Sequence, residues 1–81
     1  MHKVISVVPQ NDYSLLLSFE NGEQRVFDVR PYLDKGIFAE LRDLRYFLLA
    51  RVAFNTVHWP HNQDFAPETL YLESKALVPT L

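Results

Sequence analysis

The chain has no cysteine, which removes disulfide scaffolds, thiolate metal sites and cysteine nucleophiles together. Glycine is nearly missing too: two in 81 residues leave no room for a phosphate-cradling loop. Neither sign of charge dominates. Eight Lys and Arg stand against ten Asp and Glu, a net of −2, so the basic footprint of a nucleic-acid binder is missing. Direct nucleic-acid binding by the isolated domain is therefore not expected. Long hydrophobic runs are also lacking. The longest, Tyr46 to Ala50, falls far short of a membrane span or a signal-peptide core. The expectation is a soluble, cytoplasmic chain with no membrane segment and no cofactor.

What the chain does hold is apolar surface. At 48% hydrophobic and 14% aromatic it can collapse around a core, and its length allows one small domain. A domain of this size buries only about 60–65% of its unfolded surface, so its stability margin is thin.

Lys3 to Val8 is β-branched and closed by Pro9, which cannot donate to a ladder. After the turn-forming Gln10-Asn11-Asp12, Tyr13, Leu15, Leu17 and Phe19 alternate with Ser14, Leu16, Ser18 and Glu20. That is a half-buried strand. Asn21-Gly22 then signals a hairpin with the run Gln24 to Val29. A two-residue loop pairs Leu17 with Val26 on the core side and Leu16 with Phe27 outside. A three-residue loop with a bulge slips that register by one, and both remain open.

Downstream, Asp28, Pro31 and Gly36 predict a single helical turn over Arg30 to Lys35, with Gly36 closing it in a left-handed conformation. Ile37 to Leu41 reads as an apolar connector whose Phe38 and Leu41 plug the core. Asp43 is placed to cap a helix carrying Leu44, Phe47 and Leu48, with Arg51 near its C-terminal end. Val52 to Phe54 and Val57 to Trp59 read as short strands around a turn at Asn55-Thr56, the second stopped by Pro60. A polar loop follows, then a short helix opened by Pro67. No crossover helix is long enough for a βαβ unit. The expected fold is α+β: a small antiparallel sheet built on an N-terminal β-hairpin, packed against two or three short helices. Residues 1–73 form the single domain, and residues 74–81 a C-terminal tail or docking segment.

Four groups of residues invite a functional reading. His58, His61 and Asp64 are legitimate ligands for a divalent metal. Their spacing across a strand and a proline does not aim them at one point as a helical i, i+4 pair would. Acid–base chemistry needs paired carboxylates or a His with an orienting acid. Asp28, Asp34, Asp43 and Asp64 supply the residue type without the pairing, and two of them fall at helix starts. Ser6, Ser14, Ser18 and Ser74 lack any nucleophile elbow. No catalytic residue is assigned, and the chain is expected not to be an enzyme.

Arg25, Arg30, Arg42 and Arg45 could gather into a basic patch, or pair with Glu23, Asp28, Glu40 and Asp43 as an ordinary solvated surface. The aromatics are more telling. Tyr13, Phe19, Phe27, Phe38, Phe47 and Phe54 suit the interior, which leaves Tyr32, Tyr46, Trp59 and Tyr71 as a partly exposed set. Exposed Tyr and Trp are what protein interfaces enrich, and a free sheet edge adds adhesion.

From about Lys3 to Glu73 the landmarks also fall in a recognisable order. Phe19-Glu20-Asn21-Gly22 leads to Val26-Phe27-Asp28, Pro31, Gly36-Ile37-Phe38, Leu41-Arg42-Asp43 and Phe47. Val52, Val57, Trp59-Pro60, Asp64 and Ala66-Pro67-Glu68-Thr69-Leu70-Tyr71 complete it. The chain resembles the small bacterial proteins of the domain-of-unknown-function family numbered 2442. The resemblance implies a compact α+β domain with no catalytic residue to carry over. It also implies relatives that carry a following helix-turn-helix domain, and relatives encoded beside another small protein in a toxin–antitoxin-like pairing.

Three functions follow in order of preference. The first is a non-enzymatic interaction module, a homo-oligomer or one that binds a small protein partner. The second is a transcription-associated regulator or antitoxin-like component that contacts DNA only within a complex. The third is a metal-dependent hydrolase built on His58, His61 and Asp64.

Overall fold

Alternation sends Leu15, Leu17 and Phe19 to one side of a strand, and all three are buried in the computed structural model, which describes residues 2–77. That strand, β2 (Ser14–Phe19), lies antiparallel between β1 (Val4–Pro9) and β3 (Gln24–Asp28). Helix α1 (Leu44–Phe47) precedes a two-stranded hairpin of β4 (Arg51–Ala53) and β5 (Thr56–His58). Helix α2 (Pro67–Leu72) leads to β6 (Lys75–Ala76), which pairs with β3. The larger sheet has the order β1-β2-β3-β6, and the fold is α+β as expected.

The expected tail therefore starts inside the sheet. Ser74 is buried, Lys75 and Ala76 pair with Val26 and Arg25, and the Leu77 N–H donates to the Gln24 carbonyl at 2.9 Å. The rest of that tail, residues 78–81, lies outside the described residues.

The β2–β3 hairpin takes the slipped register. Leu15 faces Phe27, Leu16 faces Val26 and Leu17 faces Arg25. Its loop has three residues, Glu20-Asn21-Gly22, with Gly22 at φ 90° and its N–H on the Phe19 carbonyl at 2.9 Å. Side-chain period decides the matter. The slip turns Phe27 and Val29 into the core and Val26 outward, and burying a phenyl ring outweighs burying an isopropyl group.

The same loop plan recurs with other residues at the left-handed position. Asn11-Asp12-Tyr13 joins β1 to β2 with Tyr13 at φ 65°, and Pro60-His61-Asn62 closes a turn with Asn62 at φ 73°. A tyrosine at positive φ is strained. Here the strain is offset: the Tyr13 ring packs against Phe47 with centroids 5.2 Å apart, and its hydroxyl donates to the Arg42 carbonyl.

Short helical segments connect the two sheets along the chain. Arg30–Tyr32 and Gly36–Arg42 are 3₁₀ segments. Gly36 opens the second rather than closing the first, because the chain passes through extended Lys35 directly into it and needs no left-handed stop. Asp43 caps α1 as expected, its carboxylate accepting the Arg45 N–H at 3.0 Å. Arg51, expected near that helix end, lies in β4 instead, since α1 lasts a single turn. Pro67 occupies the first turn of α2 with Glu68 behind it, which suits the helix dipole.

The turn between β4 and β5 falls one residue early, at Phe54-Asn55 rather than Asn55-Thr56. Both residues have positive φ, 52° and 66°, the signature of a type I′ turn. The Asn55 carbonyl accepts the Val4 N–H at 2.9 Å, so the hairpin tip is fastened to the open edge of β1.

Candidate interaction surface

The histidines do not form a metal centre. His61 directs Nδ1 at the Glu40 carboxylate, 2.7 Å away, and its ring stacks on Tyr46 with centroids 5.2 Å apart. His58 lies in β5 opposite Arg51, its ring edge-on to Phe54 at 5.7 Å and its Nε2 buried without a hydrogen-bond partner. Asp64 meets His58 only through a backbone bridge. Among the described residues no three His, Asp or Glu side chains converge to hold a metal ion. The hydrolase reading of His58, His61 and Asp64 falls on this divergence.

His61 belongs instead to a polar network that pins the second 3₁₀ segment to the loop after β5. Glu40 accepts from the Gln63 amide at 2.9 Å, Gln63 accepts from the Tyr46 hydroxyl at 2.6 Å, and the Tyr46 oxygen accepts the His61 N–H at 2.8 Å. The bonds from His61 and Gln63 hold the Glu40 carboxyl below the ordinary glutamate value of 4.5. The Tyr71 hydroxyl and Asn21 do the same for Glu23, and the Arg30 guanidinium does it for Asp28. A depressed carboxylate contributes stability that is whole above its unfolded value and drains as pH falls through its folded value. Glu40→Gln should therefore lower the melting temperature at neutral pH, with the gap to wild type closing at a pH well below 4.5. Thermal melts at the two pH values decide it. A gap that ignores pH would show that the Glu40 charge contributes nothing.

The four arginines do not merge into one basic patch. Arg25 pairs with Glu23 at 3.1 Å, Arg30 with Asp28 at 3.0 Å, Arg42 with Asp34 at 3.5 Å and Arg45 with Asp43 at 4.0 Å. Signs are interspersed along the surface. Arg25 is the most enclosed of them, with its guanidinium 4.4 Å over the Tyr71 ring and hydrogen bonds to the Ser74 hydroxyl and carbonyl at 2.7 and 2.8 Å.

The structure splits the aromatic set expected at the surface. Tyr32, Tyr46 and Tyr71 are half-buried, and their hydroxyls are engaged by Glu73, Gln63 and Glu23. Glu73 pushes the Tyr32 hydroxyl up to about 12. Trp59 is not at the surface at all. It is 2% exposed, with its indole N–H on the Phe47 carbonyl at 2.9 Å. A buried partner for the N–H removes the reason to keep the indole at the rim.

Phe54 is the opposite error. Expected inside, it is 89% exposed, because a type I′ turn throws its first central side chain clear of the hairpin. Phe65, assigned no place from sequence, takes the interior position. The two-residue spacing between the runs Val52-Ala53 and Thr56-Val57 was the signal for Phe54; for Phe65 no local pattern exists.

Other large apolar side chains are exposed besides Phe54. Ile5 and Val8 of β1 stand out at 62% and 53% exposure. Val8, Leu16 and Val26 lie in one cross-strand row on the sheet face away from the core. Leu72, at the end of α2, is 74% exposed. Among the described residues no helix is long and apolar enough to cross a membrane, and no concave pocket opens on the surface.

The family described as protein of unknown function (DUF2442) matches residues 4–76, nearly the whole chain, and the chain belongs to that family. No curated protein and no solved structure matched it.

Proposed function

We propose that this DUF2442 member is a non-enzymatic interaction module that self-associates or binds a small protein partner. One observation carries the reading. The core is closed by residues such as Leu17, Phe27 and Trp59, yet Ile5, Val8, Ile37, Phe54 and Leu72 are left in water. Burying apolar side chains of this kind gains roughly 25 cal/mol per Å² removed from water. Large apolar side chains left this exposed are candidates for association surfaces. A regulator that grips DNA would need cations free to meet phosphates, and Arg25, Arg30, Arg42 and Arg45 each already face a carboxylate.

Sedimentation of the full chain over a wide concentration range tests the reading, followed by affinity capture from its own cells. Mass rising with concentration, or a specific protein retained, supports it. A strict monomer that retains nothing overturns it.

A further inference from the structure

Charge is sorted along the second half of the chain. Residues 44–63 hold two arginines and two histidines and no acid; residues 64–74 hold three acids and no base. The first stretch spans α1 and the β4–β5 hairpin; the second opens with Asp64, bridged to His58 of β5, and runs through α2 to Glu73. The two most exposed large apolar side chains among the described residues fall one in each stretch: Phe54 on the hairpin and Leu72 on α2.

The nearest charge differs in sign at the two places, with Asp64 bridged to His58 on the hairpin side and Arg25 lying over the Tyr71 ring of α2 as the counter-charges. Phe54 lies edge-on to His58, and His58 pairs across the hairpin with Arg51, which has no ion-pair partner among the described residues. Leu72 follows Glu68 by one helical turn on the same face and immediately precedes Glu73. Phe54 also carries strain that little in the fold offsets. Tyr13 is repaid for its positive φ by packing and a hydrogen bond, whereas Phe54 holds the same conformation almost wholly in water. Asn or Gly would suit that position better. A bulky residue kept in a left-handed turn for a single edge contact with His58 points to use outside the fold.

We propose that the Phe54 hairpin of one copy docks on the Glu68–Leu72–Glu73 face of α2 in a second copy. The phenyl ring covers Leu72, and Arg51 meets the α2 carboxylates. This rests on the interaction-module reading and narrows it to self-association. Two hairpins meeting about a two-fold axis would set Arg51 against Arg51. Nucleic acid would find one unpaired arginine beside Phe54 and acids elsewhere. A second copy already carries the complementary charge and the apolar contact. The hairpin borders β1, with its tip on Val4, while α2 packs on β3 and stacks Tyr71 on His2, so one molecule offers both surfaces and the contact between copies runs head to tail.

Light scattering on the full chain, on Phe54→Asn and on Leu72→Ser tests this. Wild type should exceed monomer mass as concentration rises, with high salt opposing it, and each variant should weaken association about tenfold or more. An equimolar mixture of the two variants should form a dimer, because each keeps the surface the other has lost. Phe54→Asn should melt no lower than wild type, which separates lost association from lost folding. Overturning results are a wild type monomeric at every concentration, assembly indifferent to both substitutions, or variants that fail to pair. A monomer that retains a foreign protein through Phe54, or that binds a single-stranded oligonucleotide through it, overturns the second-copy contact; the foreign protein leaves the module reading standing. A monomer that retains nothing removes both.

Discussion

Trp59→Ala should cost about 3–5 kcal/mol, the range for truncating a large buried aromatic. An 81-residue domain has roughly 4–12 kcal/mol in all, at about 0.05–0.15 kcal/mol per residue. The variant should therefore be largely unfolded or close to it, with a far-lowered urea midpoint by circular dichroism. The indole joins the hairpin side of the core to α1: its ring lies 6.0 Å from both Phe47 and Phe65, and its N–H holds the Phe47 carbonyl. Trp59→Phe separates the two contributions. It keeps much of the packing, leaves that carbonyl with only the Ala50 N–H at 3.2 Å, and should cost only about 1–3 kcal/mol. A Trp59→Ala variant within about 1 kcal/mol of wild type would mean that the cavity collapses freely and the site is not a keystone.

Phe65→Ala should be nearly as damaging, again about 3–5 kcal/mol. Phe65 is the hub of the aromatic packing. Phe38 stacks on it at 4.7 Å and 6°, and Phe27, Tyr32 and Trp59 meet it edge-on at 5.0 to 6.0 Å. Phe38 is only half-buried, so Phe38→Ala should cost about half as much. A double-mutant cycle between the two should return a coupling of about 0.5–1.5 kcal/mol. If Phe38→Ala proved the worse substitution, the hub would lie at Phe38 instead.

These two predictions fall on residues that the chain itself advertises poorly. Local chemistry was easy to read: the alternation of Leu15, Leu17 and Phe19, the Asp43 cap and the Pro67 helix start all appear as expected. Asn21-Gly22 announced a hairpin but not its register, because the dipeptide fits both loop lengths and distant burial of Phe27 and Val29 decides between them. Trp59 sits beside a proline and between two histidines, which reads as surface. Only the fold reveals that the Phe47 carbonyl waits for its N–H. Phe65 has no periodic neighbours at all.

The surface was legible to a similar degree. Three of the four arginine pairs, Arg25 with Glu23, Arg30 with Asp28 and Arg45 with Asp43, are two residues apart and visible in the sequence, whereas Arg42 with Asp34 is not. Phe54 was hidden by composition. A phenylalanine after Val52-Ala53 continues a strand by propensity, and the turn overrides that preference only once Val57 is buried on the partner strand.

The two-residue β6 has a kinetic corollary. Its ties to β3 join groups as far apart as Arg25 and Ser74, 49 positions along the chain, so each re-closure repays a long loop for very few bonds. The meander β1-β2-β3 zips through local contacts, and this last rung latches late and releases early. Each release bares the backbone rim of β3, and it is there, rather than in the sealed interior, that proteolysis and runaway strand capture would find their opening.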